Sequence, residues 1–248
     1  ADGPGPGDAG GDGAPITCSP DDDGVITRAE MPLKAGLHAT FRVATDAVVD
    51  TAGTPQGSGR RWDLTAALDG DHALLSETRP LAGTWFAGKF GGATYAARLS
   101  DGNDLLGVFE VTADALLLRG VVSPDDGLTR TELTYDPPVT VLAFPLQSDA
   151  TFSTTSIVSG LASGLWSAYG EKYESQVDAE GELRTPFGDF HVLRVRTVLT
   201  RTVAMIPTVS RTFAFVTDCF GTVATVRSRD NETAVEFTQA AEVWRLSP

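Results

Sequence analysis

Phe190-His191-Val192-Leu193-Arg194-Val195-Arg196-Thr197-Val198-Leu199-Thr200-Arg201-Thr202-Val203 is the stretch whose reading decides the fold. It is rich in β-branched residues and holds neither Gly nor Pro. In an extended chain Leu193, Val195, Leu199 and Val203 fall on one face, and Arg194 and Arg196 fall on the other. A period of two over such a length specifies a long β-strand.

The same period recurs on both sides. Toward the C-terminus, residues 213–217, 222–228 and 234–246 read as strands. In the last of these, Val235, Phe237, Ala241 and Val243 share a face. Toward the N-terminus, residues 37–44 place Leu37, Ala39, Phe41 and Val43 together. Residues 51–60 read as a Gly/Pro/Ser loop. Residues 62–68 and 72–78 flank Asp69-Gly70-Asp71, which has hairpin-turn chemistry. Residues 81–90 carry Trp85, Phe86 and Phe90 between glycines. Residues 95–99 and 105–111 surround a second turn, Asp101-Gly102-Asn103-Asp104. The apolar run 116–122 has the length of a strand buried on both faces. Residues 128–135 and 151–158 are Thr/Ser-rich strands on either side of Pro137-Pro138 and Phe144-Pro145, and residues 173–179 add another. Only residues 161–169 read as an amphipathic helix. The pattern predicts an all-β fold: a large antiparallel meander forming a strongly curved sheet or open barrel, with an N-terminal EF-hand-like loop. Two packed halves split near Pro137-Pro138 are the alternative.

Composition narrows the function classes. At 248 residues the chain is long enough to bury a substantial core. No apolar run is long enough for a transmembrane helix. A net charge of −14 argues against nucleic acid and against anionic lipid surfaces. Residues 1–16 are nearly all Gly, Pro, Ala and Asp and read as a flexible tether, ahead of a calcium-type loop over 17–34 and a single β-domain over 35–248. The chain starts at Ala1, which fits removal of an export signal or of a lipoprotein anchor upstream. The cysteines, Cys18 and Cys219, number two and stand near opposite ends. This suggests one long-range disulfide in an oxidising compartment; two reduced thiols are the alternative.

Around Cys18 the acids are spaced for a metal. With Gly24 as the sixth position of a calcium loop, Ser19 stands at one, Asp21 at three, Asp23 at five, Val25 at seven, Ile26 at eight, Thr27 at nine and Glu30 at twelve. Ca²⁺ takes six to eight oxygens, and alternate acids in a tight turn make carboxylates converge. Ile26 points inward to anchor the loop, and Pro32 holds any helix after it to about one turn. Ser19 in place of Asp lowers affinity, and no helix enters the loop. A bare solvated turn is the alternative. Ser123-Pro124-Asp125-Asp126-Gly127 echoes the stretch but loses three ligand positions and reads as a turn only.

Other chemistry is sparse. The histidines are His38, His72 and His191, and no HExxH, GxGxxG or Walker pattern occurs. Gly160-Leu161-Ala162-Ser163-Gly164 places its Ser one position late for a nucleophile elbow. Arg194, Arg196, Arg201, Arg211, Arg227 and Arg229 gather in the last third, either as cross-strand partners of acids such as Glu236 and Glu242 or as a stripe receiving an anion. Trp62, Trp85, Trp166 and Trp244 read as core before sugar platform. Asn231-Glu232-Thr233 fits a glycosylation sequon.

The loop at 19–30 resembles a single EF-hand or dockerin-type calcium loop. That resemblance implies Ca²⁺ held by Ser19, Asp21, Asp23, the Val25 carbonyl, Thr27 and Glu30, and implies no enzymatic activity. Phe144-Pro145-Leu146, Thr185-Pro186-Phe187-Gly188-Asp189-Phe190 and Cys219-Phe220-Gly221-Thr222-Val223 resemble features of secreted or lipid-anchored bacterial β-proteins, which implies export and a curved sheet. The expectation is a non-enzymatic exported or surface-tethered β-domain, its calcium loop and its Cys18–Cys219 bridge stapling one corner. The alternative is a carrier of a lipid or other apolar molecule, in a concavity lined by residues such as Phe109, Phe213 and Phe237.

Overall fold

The computed structural model describes residues 18–21 and 23–248. The expected tether at 1–16 lies outside them. The strands are β1 (Val25–Ile26), β2 (His38–Val48), β3 (Thr54–Gln56), β4 (Gly59–Asp63), β5 (His72–Glu77), β6 (Tyr95–Arg98), β7 (Leu106–Val111), β8 (Ala115–Val122), β9 (Glu132–Ala143), β10 (Leu146–Gln147), β11 (Thr151–Ala162), β12 (Leu165–Arg184), β13 (Asp189–Val203), β14 (Ile206–Thr217), β15 (Gly221–Ser228) and β16 (Gln239–Ser247). One 3₁₀ turn, Arg28–Glu30, precedes β2.

Twelve strands form one antiparallel sheet in the order β5-β2-β16-β15-β14-β13-β12-β11-β9-β8-β7-β6. The sheet curls until its two edges meet at a single bridge, Arg79 with Ala96, and the result is a nearly closed barrel. Curling answers the exposed-edge problem that so many strands create. The deciding strand, β13, lies mid-sheet between β12 and β14.

Both faces of β13 are covered. Leu193 and Val195 enter a core with Phe109, Leu118, Val158 and Val216. Val192 joins the second core, with Trp62, Phe213, Phe215 and Phe237. Arg194 lies on that side too, over the Phe213 and Trp62 rings. A third core holds Phe86, Phe90, Val108 and Val122.

Several expectations are corrected. Residues 161–169 are not a helix: they form the β11–β12 turn, with Leu161 opposite Trp166 and Ala162 opposite Leu165. Ser163 and Gly164 both take positive φ, 50° and 81°, the backbone of a two-residue hairpin turn. The Asp69-Gly70-Asp71 turn does not join a hairpin. β5 pairs with β2, whereas β4 pairs with β3 and runs parallel to β12. Arg245 holds the intervening segment by donating to the Leu64 and Ala66 carbonyls. The 51–60 loop contains β3 and the start of β4. Pro137-Pro138 does not divide the chain, because β9 runs through it and its ladder to β8 skips from Gly120–Thr134 to Leu118–Val139. β8 is covered on both faces only toward its C-terminal end: Val121 enters the first core and Val122 the third, while Leu117 and Arg119 stay half-buried.

Hairpin turns alternate between two ends. The β11–β12 and β13–β14 turns lie at one end. The β12–β13 and β14–β15 turns lie at the other, roughly 45 Å away at about 3.3 Å per residue of β13.

Candidate functional site: the disulfide-stapled end

Cys18 is bonded to Cys219 with Cα atoms 5.5 Å apart, a bridge across 201 residues. Cys219 takes a positive φ of 65°, and its N–H donates to the Glu30 carbonyl at 2.8 Å. Beside it, buried Asp218 accepts from the Asp21 N–H at 3.4 Å through Oδ2. The N-terminal segment is thereby fixed to the β14–β15 turn, at the corner where the sequence placed it.

The loop is anchored as its pattern demands. Gly24 has a φ of 82°, which a residue with a Cβ seldom adopts. β1 pairs with β10, Val25 opposite Gln147 and Ile26 opposite Leu146. Ile26 is 3 % exposed in the first core, alongside Met31 and Leu146. The acids fold locally. Asp23 Oδ1 accepts from the Val25 N–H at 2.7 Å, and Asp21 Oδ1 from the Asp23 N–H at 3.4 Å. Glu30 Oε2 accepts from both the N–H and the hydroxyl of Thr27, at 2.6 and 2.7 Å. Ser19, Asp21, Asp23 and Thr27 are exposed, and Val25 and Glu30 are half-buried. Among the described residues no group of three or more His, Cys, Asp or Glu is arranged to hold a metal. As it stands, then, the donor set does not converge on a cation: Glu30 closes the 3₁₀ turn. Ligation of calcium by both Glu30 oxygens requires Oε2 to leave Thr27.

Next to the bridge, Phe187, Phe190 and Phe220 touch one another, with ring centroids 5.2 to 6.2 Å apart. Phe187 and Phe220 remain 49 % and 48 % exposed. The backbone below them is pinned. Thr185 Oγ1 accepts from the Phe187 and Gly188 N–H groups, and Phe187 N–H also donates to the Leu246 carbonyl. Two clefts flank Phe220. One, of about 320 Å³, is lined by Pro20, Phe187, Phe190, His191 and Asp218 among others. The second, of about 300 Å³, includes Pro32, His38, Phe41, Ser76 and Leu246. The sequence signal for this trio was Pro186-Phe187-Gly188 and Cys219-Phe220-Gly221, aromatics in turns.

The arginines resolve as cross-strand partners. Arg194, 3 % exposed, donates to Asp178 and to Glu236 and stacks over Phe213. Arg227 lies 3.6 Å from Glu242, and Arg229 3.1 Å from Asp46. Arg196 meets Asp178, and Arg211 donates to the Glu232 carbonyl. Arg201 meets a carboxylate that sequence reading passed over. Glu171 is 1 % exposed, accepts from Arg201 Nε at 2.7 Å, and takes a 2.5 Å bond from the Tyr173 hydroxyl. Burial, with Glu171 beside them, pushes the Tyr135 and Tyr173 hydroxyls far up, so both stay protonated. The alternation Tyr169, Glu171, Tyr173 was the available signal. Such a satisfied buried acid holds a core in register. His191 is exposed on β13, at the rim of the Phe220 cleft. Trp62 and Trp244 are buried, Trp85 is half-buried, and Trp166 is 75 % exposed.

Compared with known protein families, curated proteins and solved structures, the chain matches none.

Proposed function

We propose that this chain is a non-catalytic extracytoplasmic β-barrel domain, exported or surface-tethered. One observation carries the reading: the positions expected to line a cargo cavity are packed instead. Phe213 and Phe237 stack with centroids 5.6 Å apart in the core below Trp62, and Phe109 packs on Tyr95 at 5.4 Å. The disulfide supports an oxidising compartment. The test is mass spectrometry of protein from its host after gentle isolation, with organic extraction of the same sample. The structural reading expects the chain with its disulfide and no single apolar species bound one to one; one apolar species retained in stoichiometric amount would overturn it.

The carrier reading keeps one observation, the clefts beside Phe220. It predicts that any retained apolar molecule is lost in Phe220→Ser.

Calcium belongs to the same proposal. Gly24 and buried Ile26 fit an EF-hand-type loop, and Glu30 is one hydrogen-bond exchange away from it. With Ser19 at the first position, a dissociation constant of about 10⁻⁴–10⁻³ M is expected. Calorimetry on chelator-treated protein checks it; no heat at several millimolar Ca²⁺ rejects the site.

A further inference from the structure

The five most exposed large hydrophobic side chains all lie at the end opposite the disulfide. Leu128 is 97 % exposed, Met205 91 %, Leu165 and Trp166 75 % each, and Ile206 70 %. They stand on three turns. Leu165 and Trp166 open β12 after the Ser163-Gly164 turn, Met205 is in the β13–β14 turn and Ile206 opens β14, and Leu128 belongs to the β8–β9 connection. That connection touches the first turn, since the Gly164 N–H donates to the Arg130 carbonyl and the Ser163 N–H to Thr131 Oγ1. Val203, paired with Ile206, adds a further half-exposed apolar residue.

Charge is missing from the two hairpin tips. In a chain carrying 33 acidic and 19 basic residues, none occurs from 150 to 170 or from 202 to 210. The first charges behind the two hairpin tips stand in ion pairs, Arg130 with Glu132 and Arg201 with Glu171, and Arg201 keeps a side chain 49 % exposed. Asp125 and Asp126 lie on the Leu128 turn, and Arg229, Asp230 and Glu232 on the β15–β16 connection, whose Asn231 bonds to Val209 near the second tip. Monomeric proteins seldom keep apolar side chains clustered in water. Uncharged, aromatic-containing tips match the headgroup–acyl boundary of a bilayer, where Trp is favoured and Leu, Ile and Met bury their side chains. The charges behind them are paired or acidic, which gives no attraction to an anionic surface and leaves a zwitterionic one.

We propose that the hairpin end docks onto a zwitterionic lipid bilayer, inserting Leu165, Trp166, Met205 and Ile206 to headgroup depth with Leu128 beside them.

The probe is phosphatidylcholine vesicles, with the full chain. Co-flotation is expected, unchanged between low and high salt, because burial of apolar area is not screened. Replacing Leu165, Trp166, Met205 and Ile206 together by Ser is expected to lower partitioning by at least about tenfold, since four apolar side chains lose their burial. Brominated lipid is expected to quench tryptophan emission in the native protein and much less in Trp166→Phe, because Trp166 is 75 % exposed at a tip, Trp62 and Trp244 are buried, and Trp85, beside the Leu128 turn, is half-buried under Arg130. If the quadruple variant does not fold, Met205→Glu, one change at an exposed site, is expected to lower binding several-fold. No flotation at millimolar lipid overturns the proposal. So does flotation confined to phosphatidylglycerol vesicles and abolished by salt, and so does self-association that the Ser variant removes while vesicles float none of the protein.

Discussion

β13 and β14 end in opposite kinds of surface. At the stapled end the exposed apolar groups are rings in clefts, on backbone fixed by the Cys18–Cys219 bridge and by the Thr185 and Leu246 hydrogen bonds. At the hairpin end they are Met, Leu, Ile and Trp side chains on bare two-residue turns, with no covalent tie. The sheet between is one structure, so the difference comes from what is added to its ends. One end receives residues 18–35, whose Ile26, Met31, Leu33 and Ala35 pack into the first core. The other end receives the two-residue turns and the connections 123–131 and 229–238, the latter held to β14 by bonds between Asn231 and Val209. Strand pairing builds a scaffold indifferent to function, and chemistry is placed on its ends.

The largest expected effect breaks the stapled end. Cys18→Ser with Cys219→Ser opens a loop of 201 residues, for which chain entropy gives a loss of about 5 kcal/mol, the upper end of what such bridges contribute. Chemical denaturation should show the midpoint falling with a steeper slope, since the unfolded chain is no longer held compact, and limited proteolysis should cut between 18 and 35 first. A variant of unchanged stability would remove the staple from the account.

A matched pair of isoleucines sharpens the contrast. Ile26 is 3 % exposed at the stapled end and Ile206 is 70 % exposed at the hairpin end. Ile26→Ala should cost about 3 kcal/mol, through lost burial and the cavity left against Leu146. Ile206→Ala should stay within about 0.5 kcal/mol in the absence of lipid. Urea titrations of the two variants side by side measure this, and equal losses would mean that the two ends do not differ as described.

How much of this the sequence disclosed follows from the range of the interactions involved. The strand nature of β13, the β6–β7 hairpin, the inward Ile26 and the bridge at its corner were legible, because alternation, turn chemistry and a cysteine pair are local or countable signals. The partner of β4 was not. Its parallel pairing with β12 depends on Gly181, where a Cβ would lie 1.8 Å from the Arg60 carbonyl oxygen, a closeness no pattern in 59–63 reveals. The run 161–169 misled for a similar reason: Leu161, Leu165 and Ala168 have helical spacing, but Gly164 at positive φ against the Leu128 carbonyl forces a turn. The calcium spacing was legible, and the engagement of Glu30 by Thr27 was not, because the same residue at the same distance serves a helical turn or an ion.

That ambiguity gives the next effect in size. Glu30→Ala removes the acceptor of two bonds at the start of the 3₁₀ turn and should cost about 1 kcal/mol without metal. Glu30→Gln keeps an acceptor, so it should retain most of that stability and lose any response to Ca²⁺. Thermal scans of both variants with and without millimolar Ca²⁺ separate the roles. A wild-type response that survives in both would place the metal away from this loop.

The smallest effect lies along the seam that joins the two barrel edges. Toward the stapled end β5 and β6 are joined by backbone, the Arg79–Ala96 bridge. Toward the hairpin end they are joined by side chains: His72 Nε2 stands 3.2 Å from Asp101 Oδ2, and the Asp101 N–H donates to Glu242. The Gly70 carbonyl on Nδ1, and then Asp101, raise the His72 pKa above its usual value. A raised pKa means the folded state favours the imidazolium. The stabilisation is therefore complete below the ordinary histidine range and is lost as pH rises through the folded value. His72 is half-exposed, so solvent screening holds the effect to a few tenths of a kcal/mol. Global melting will scarcely register it. Hydrogen exchange will, because the amides of β5 nearest His72 should lose protection over that pH window, after correction for intrinsic rates, while those nearest Arg79 keep theirs. His72→Gln should abolish the pH dependence and leave the gradient along β5. Uniform loss of protection along the strand would show that the seam opens as one unit, and that the barrel's two ends are not independent.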